Sequence, residues 1–377
     1  MDLADCDKVS YRLCRALALF LLTAAFLPDL GCGRAPGTPG PGGSPAISRA
    51  DRQIVTLADL VGPSDPLAAH DLHFDARFAV DALAYVKSGE RRRLDRLAQS
   101  PAAQHLLNHA RNFDYPDMPK DSTAALVASL VEPRAERAKR AGTCAHSLDF
   151  FTGPMLEDPH WVNDVLAYLP AGFRFHGSLF LTFGYDIGVA FPPNASLNGA
   201  SSHFDGHPRE LLYYAIHELH HAGFMTFHPP PRWADIKTCD DLLKAVEYLT
   251  QLEGMAVLAA TERRRLEQAL SADGDYIALQ DDVRMQKDEA LYLKEYEDLK
   301  KRTDQPADKD AWAVIERMSG GERLWYRVGA RMAGRIEKEL GRPALVSLVQ
   351  EGPQRFFQVL RDLRDKPPSQ TAPVPNK

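Results

Sequence analysis

Three residues in one short stretch have the types and spacing for hydrolytic chemistry: His217, Glu218 and His221, the fixed positions of His-Glu-x-x-His. Residues four apart on a helix share a face, so the two imidazoles can converge on one metal ion, and imidazole nitrogen suits zinc. Glu218 follows the first histidine without sharing its role. It can take a proton from an attacking water and return it to a leaving amine. Leu211, Leu212, Ala215, Ile216 and Leu219 make the surrounding segment an apolar helix, with Pro208 in its first turn and Asp205 or His207 as caps. Into that helix the chain places His217, Glu218, His220 and His221, and buried polar groups without compensation are costly. One Zn2+ ion accounts for them. His220 is read as a packing residue or a support for the ligands. The other reading of the group is a hydrogen-bonded core cluster or a purely structural metal site.

A catalytic zinc takes a third protein ligand and leaves one position open. Thr238 and Asp241 form a capping box for a second helix, which runs through Leu242, Leu243, Val246 and Leu249 to Glu253 and Gly254. Glu253 is a lone carboxylate among small and apolar residues, and a metal would compensate its burial. Gly254 beside it would admit a close helix backbone. Against this stands a structural Glu253 paired with an arginine, and Glu247 is the competing acid, with Lys244 three residues before it. A third histidine six residues after His221 would suit another geometry, but Phe224 and Phe227 occupy the required positions, with Gly223 and His228 each one residue out of place. His105 and His109 also stand four apart, without an acidic companion, and read as a core or surface pair.

His-Glu-x-x-His followed by Glu253-Gly254-Met255-Ala256 on a second helix resembles the gluzincin clan of zinc peptidases. It is more similar to bacterial families of uncharacterised zinc-dependent peptidases built on that pair of helices. Trp325 to Ala333, Ile336-Glu337-Lys338 and Leu340-Gly341-Arg342 resemble the C-terminal helices of those families, so the likeness spans roughly Phe173 to Phe357. It implies His217, His221 and Glu253 as ligands of one Zn2+ ion, Glu218 as general base, and a small sheet whose edge holds an extended peptide or protein substrate. A tyrosine or histidine downstream steadies the oxyanion in such clans. Tyr326 fits by position, though beside Trp325 it would equally pack against the helices. His203 and His207, just before the motif helix, are weaker candidates.

The elements that must position these groups are mainly helical. The reading is a mainly α (α+β) fold: a helical zincin-like domain over residues 171–366, with a small mixed or antiparallel sheet before the motif helix. Residues 47–170 read as helices, among them Ala76 to Val86, Pro101 to Ala110 and Ser122 to Val131. Aromatic and β-branched residues with glycine punctuation between Phe173 and Ala190 read as two or three short strands, and Asn194 to Pro208 as a polar loop.

A net charge of -6 points to no polyanionic partner, and no nucleic-acid partner is expected. Arg91-Arg92-Arg93 and Arg263-Arg264-Arg265 read as solvated helix faces. Lys8, Arg12 and Arg15 precede an apolar run from Ala16 to Leu27, which suits a secretory signal and is short for a bilayer span. Leu30-Gly31-Cys32 resembles a lipoprotein processing site, so residues 1–32 are read as a signal peptide and the protein as exported, periplasmic or envelope-bound, with membrane attachment through an acylated Cys32. Residues 33–46 form a Gly/Pro-rich linker, and 367–377 a disordered tail. Cys144 and Cys239 would remain in the folded body, as a disulfide or as separate thiols. The expected activity is that of a zinc-dependent peptidase. A zinc amide or ester hydrolase, and a catalytically silent envelope-binding protein of the same fold, use the same residues.

Overall fold

The structure, a computed structural model, describes residues 53–115, 117–132 and 136–365. The signal segment, Cys32, the linker and the tail lie outside them. The chain divides into two compact units: residues up to Asn163 with Arg174–Ala222, and Asp164–Phe173 with Gly223 onward.

The first unit is built on a five-stranded mixed sheet, in the order β1 (Ile54–Thr56), β2 (Asp71–Asp75), β3 (His176–Thr182), β5 (Asn194–Asn198), β4 (Gly188–Phe191). β2, β3 and β5 run parallel; β1 and β4 are antiparallel to their neighbours and form the two edges. Leu179, Phe180, Leu181 and Thr182 on β3 are all buried, as expected of a central parallel strand covered on both faces. The longer helices are α1 (Arg77–Ser88), α2 (Arg91–Gln99), α3 (Pro101–Asn112), α4 (Thr123–Val131) and α5 (Arg137–Thr152). α1 packs on β3, and α3 on β4 and β5. Ser100 caps α3 through the Ala103 amide, and Pro101 sits in its first turn.

Two parts of the sheet differ from the sequence expectation. β1 and β2 come from the segment read as helical: β1 is three residues long, and in β2 Leu72 and Phe74 alternate with polar residues over a run too short to outweigh the helical periods around it. β5 falls in the segment read as a polar loop. Both its asparagines are satisfied: the carboxamide oxygen of the buried Asn198 accepts from the Gly184 and Ala200 amides, and that of the half-buried Asn194 from the Ser178 amide. A strand paired on both sides tolerates such residues when the polar atoms find partners.

The motif helix α6 (Glu210–Phe227) carries the chain from the first unit into the second, with Pro208 in the turn before it. The second unit is helical: α7 (Cys239–Leu266), α8 (Asp282–Lys300), α9 (Lys309–Ser319), α10 (Leu324–Leu340), α11 (Arg342–Glu351) and α12 (Pro353–Asp365). The capping box of Thr238 and Asp241 opens α7 as read. α7 and α10 pack through Gly254 and Gly329; a Cβ on Gly254 would lie 2.2 Å from the Gly329 carbonyl carbon. Several buried charges here are paired across helices, as in Arg327 with Asp275 at 2.8 Å and Asp288 at 3.6 Å. Arg263 bonds Asp164 at 2.8 Å, while Arg264 is 1% exposed over the Tyr276 ring. Arg264 is therefore no part of a solvated face. Its guanidinium gains the ring quadrupole and Asp273, 3.9 Å away. Cys144 and Cys239 are buried free thiols, so no disulfide joins them. Among the described residues no helix is long and apolar enough to cross a membrane.

Candidate metal centre

Within the first unit, α6 brings His217 and His221 one turn apart on one face. Both are buried, with ring centroids 4.4 Å apart and rings nearly perpendicular. Their ligand nitrogens lie within 4.8 Å of each other, as do a nitrogen of His203 and a carboxylate oxygen of Glu210. Both pairs belong to groups of His, Glu and Asp side chains able to hold a metal ion. Paired imidazole nitrogens are the donor set zinc favours, whereas magnesium or calcium would call for oxygen. His220 is fully buried on the same helix.

Glu218 is 6% exposed and lies against the start of β4. A Cβ on Gly188 would stand 2.6 Å from the Glu218 Cγ and Oε1 atoms, so any side chain there would push the carboxylate from its position. Sequence reasoning took Gly188 for punctuation; its signal was a glycine inside a run of strand formers. β4 is an edge strand. Because Asn198 donates to the Ile187 carbonyl at 2.8 Å, the antiparallel alternation turns Val189 and Phe191 toward β5. Gly188 and Ala190 then point their N–H and C=O groups away from it. Backbone groups that β5 does not pair therefore run beside the acid of the motif.

α3 holds that edge from the face of the sheet. His105 Nε2 donates to the Val189 carbonyl at 3.2 Å, while its buried Nδ1 has no partner. Protonating Nδ1 would bury an N–H without an acceptor, and burial pulls the His105 pKa down to about 4. His109 Nδ1 lies 2.8 Å from the Tyr185 hydroxyl, which also contacts the Leu106 carbonyl at 3.1 Å. Burial pulls the His109 pKa down to about 3, with His105 and His221 adding to the effect. The pair is a core pair, as read. His203 meets the Tyr214 ring edge-on and faces Glu210 at 3.5 Å, and His207 is exposed.

Two further predicted residues lie in the second unit. Glu253 sits half-buried on α7 beside the Gly254 crossing. The rival acid Glu247 faces away to another neighbour: it accepts one hydrogen bond, from the Tyr296 hydroxyl at 2.6 Å, and burial raises its pKa. Tyr326 is half-buried on α10, with the Arg323 guanidinium 3.7 Å from its ring centroid. The misplaced third histidine, His228, contacts the Gln350 carbonyl at 3.2 Å and packs against Phe224.

Residues 160–362, more than half of the chain, match a family described as "Putative zinc dependent peptidase (DUF5700)". No curated protein and no solved structure matches.

Proposed function

The chain belongs to that family, and from this premise we propose that it is a zinc-dependent peptidase that hydrolyses peptide bonds at the motif of α6. The observation that carries the reading is the packing of three groups in the first unit: two buried imidazoles 4.4 Å apart, and the acid between them in sequence set against an edge strand. His217 and His221 would hold one zinc ion. Glu253 would be the third ligand, supported by its place on an otherwise small and apolar turn of α7 and by the engagement of Glu247 with Tyr296. This is the ligand pattern of the gluzincin clan that the sequence resembles. When bound, zinc supplies a Lewis acid that makes water acidic at neutral pH.

The protein's own groups do the rest. Glu218 takes a proton from the attacking water and delivers it to the leaving amine. The outward N–H and C=O groups of Gly188 and Ala190 pair with an extended substrate backbone, which lays it alongside Glu218. Tyr326 is assigned to the oxyanion through its hydroxyl. Export, with acylation of Cys32 as the membrane anchor, rests on the sequence of the first 32 residues.

A library of unblocked peptides, screened beside small amides and esters with the zinc-loaded protein, tests the reading. Peptides should be cleaved, and a chelator should stop cleavage. Turnover confined to the small amides or esters would replace the peptidase by another zinc hydrolase, and no turnover of any substrate would favour a binding protein.

A further inference from the structure

The second unit contains a cavity that the hydrolytic scheme does not use. Its volume is about 480 Å³, within the range of small-ligand sites, and it is walled by residues 228–236, the first half of α7 and the corner between α11 and α12. Pro229, Ile236, Ala245, Tyr248 and Pro353 give it apolar surface. Its charged groups are nearly all answered by neighbours. Asp235 faces Arg232 at 3.7 Å, Glu351 faces Arg355 at 3.3 Å, and Lys244 is held by Asp240 at 2.6 Å. Asp241 accepts from the Lys237 and Thr238 amides at the start of α7.

Glu247 is the exception. It is 9% exposed, lines the cavity and has one hydrogen bond, from Tyr296. Among the described residues it makes no ion pair; Arg361 of α12 and Lys300 of α8 act on it only from a distance. A buried carboxylate without a cation is expensive, and a cation brought beside the buried Glu247 carboxylate is attracted more strongly than one beside a fully exposed acid. The Tyr248 ring in the same wall adds a face that cations favour.

We infer that this cavity binds a cationic nitrogen group, an alkylammonium or guanidinium such as a lysine or arginine side chain, with Glu247 as its counter-ion. A free small molecule and a residue of a polypeptide would present the same group. The site stands independently of the zinc reading, since every residue invoked lies in the second unit and none belongs to the motif.

Calorimetric titration of the full chain in the Glu218→Gln background, which prevents turnover, tests the inference. The probes are Nα-acetyl-arginine amide, its neutral citrulline isostere, and a hexapeptide carrying one arginine. The arginine amide should saturate with one site per chain, the citrulline compound should bind at least about tenfold more weakly, and Glu247→Gln should lose about the same factor for arginine. A hexapeptide bound about tenfold more tightly than the amide would identify a polypeptide as the source, and equal affinity a free small molecule. Equal binding of arginine and citrulline, undiminished arginine binding by Glu247→Gln, or no saturation at concentrations on the order of 10 mM would each overturn it. If Glu247→Gln unfolds, the comparison of arginine with citrulline still decides. Failure here leaves peptide hydrolysis untouched, because that is read by a different assay on the protein with Glu218 intact.

Discussion

The first unit holds two pairs of histidines at the same spacing, His105 with His109 on α3 and His217 with His221 on α6. The α3 pair is tied into the scaffold: one ring donates to the Val189 carbonyl, the other meets the Tyr185 hydroxyl, and burial drives both toward the neutral form. The α6 pair packs ring against ring with Glu218 following its first member and a glycine cleared away beside that acid. Spacing alone therefore does not make a metal pair. What separates the two is the company each keeps, backbone and hydroxyl partners on α3 against an acid and an edge strand on α6. The two are also linked, because His105 pins the strand whose first residue makes room for Glu218.

If that contrast is right, substitutions at α6 should stop chemistry while those at α3 should act through stability. The largest effect is expected from Glu218→Gln, which should cut kcat about a thousand-fold with zinc content unchanged, as read by peptide cleavage beside metal analysis. Retained activity would remove Glu218 from the mechanism. Next comes Gly188→Ala. The added methyl collides with the Glu218 side chain, and displacing the acid by about 1 Å should cost about a hundred-fold in kcat with little loss of zinc. Wild-type rates in that variant would show that β4 and Glu218 are not interlocked.

A smaller, pH-dependent effect belongs to α3. His105 has a folded pKa of about 4 against an ordinary 6.5, so between those values the unfolded chain takes up a proton that the folded chain refuses. Stability is then fully present above pH 6.5 and declines as pH falls toward 4, by up to about 3 kcal/mol from this residue. Urea unfolding across that range should show His105→Gln, whose side chain does not titrate, losing less stability on acidification than the wild type. Parallel curves would contradict the burial of a neutral His105.

Much of the candidate site could be read from the sequence because its chemistry is local. His217, Glu218 and His221 are carried by one helix, and so is the capping box that opens α7. Gly254 was legible for the same reason, since a glycine in a helix interior has few uses besides close packing, here against Gly329. What escaped was non-local. β2 is a short strand whose β3 partner lies far along the chain, and β1 in turn pairs with β2. β5 carries two asparagines and a serine, so its hydropathy hid a strand whose polar atoms are satisfied by distant amides. Gly188 had no meaning until the sheet set it against Glu218, and Arg264 looked solvated until Tyr276 and Asp273 enclosed it.

The central claim is that α6, and not α3, offers the histidines that bind zinc. Metal analysis by mass spectrometry of the purified wild type, His221→Ala and His109→Gln, each exposed to the same zinc and then desalted, tests it directly. One zinc per chain should remain in the wild type and in His109→Gln, and His221→Ala should lose it. Zinc retained by His221→Ala, or lost from His109→Gln while the protein stays folded, would contradict the account.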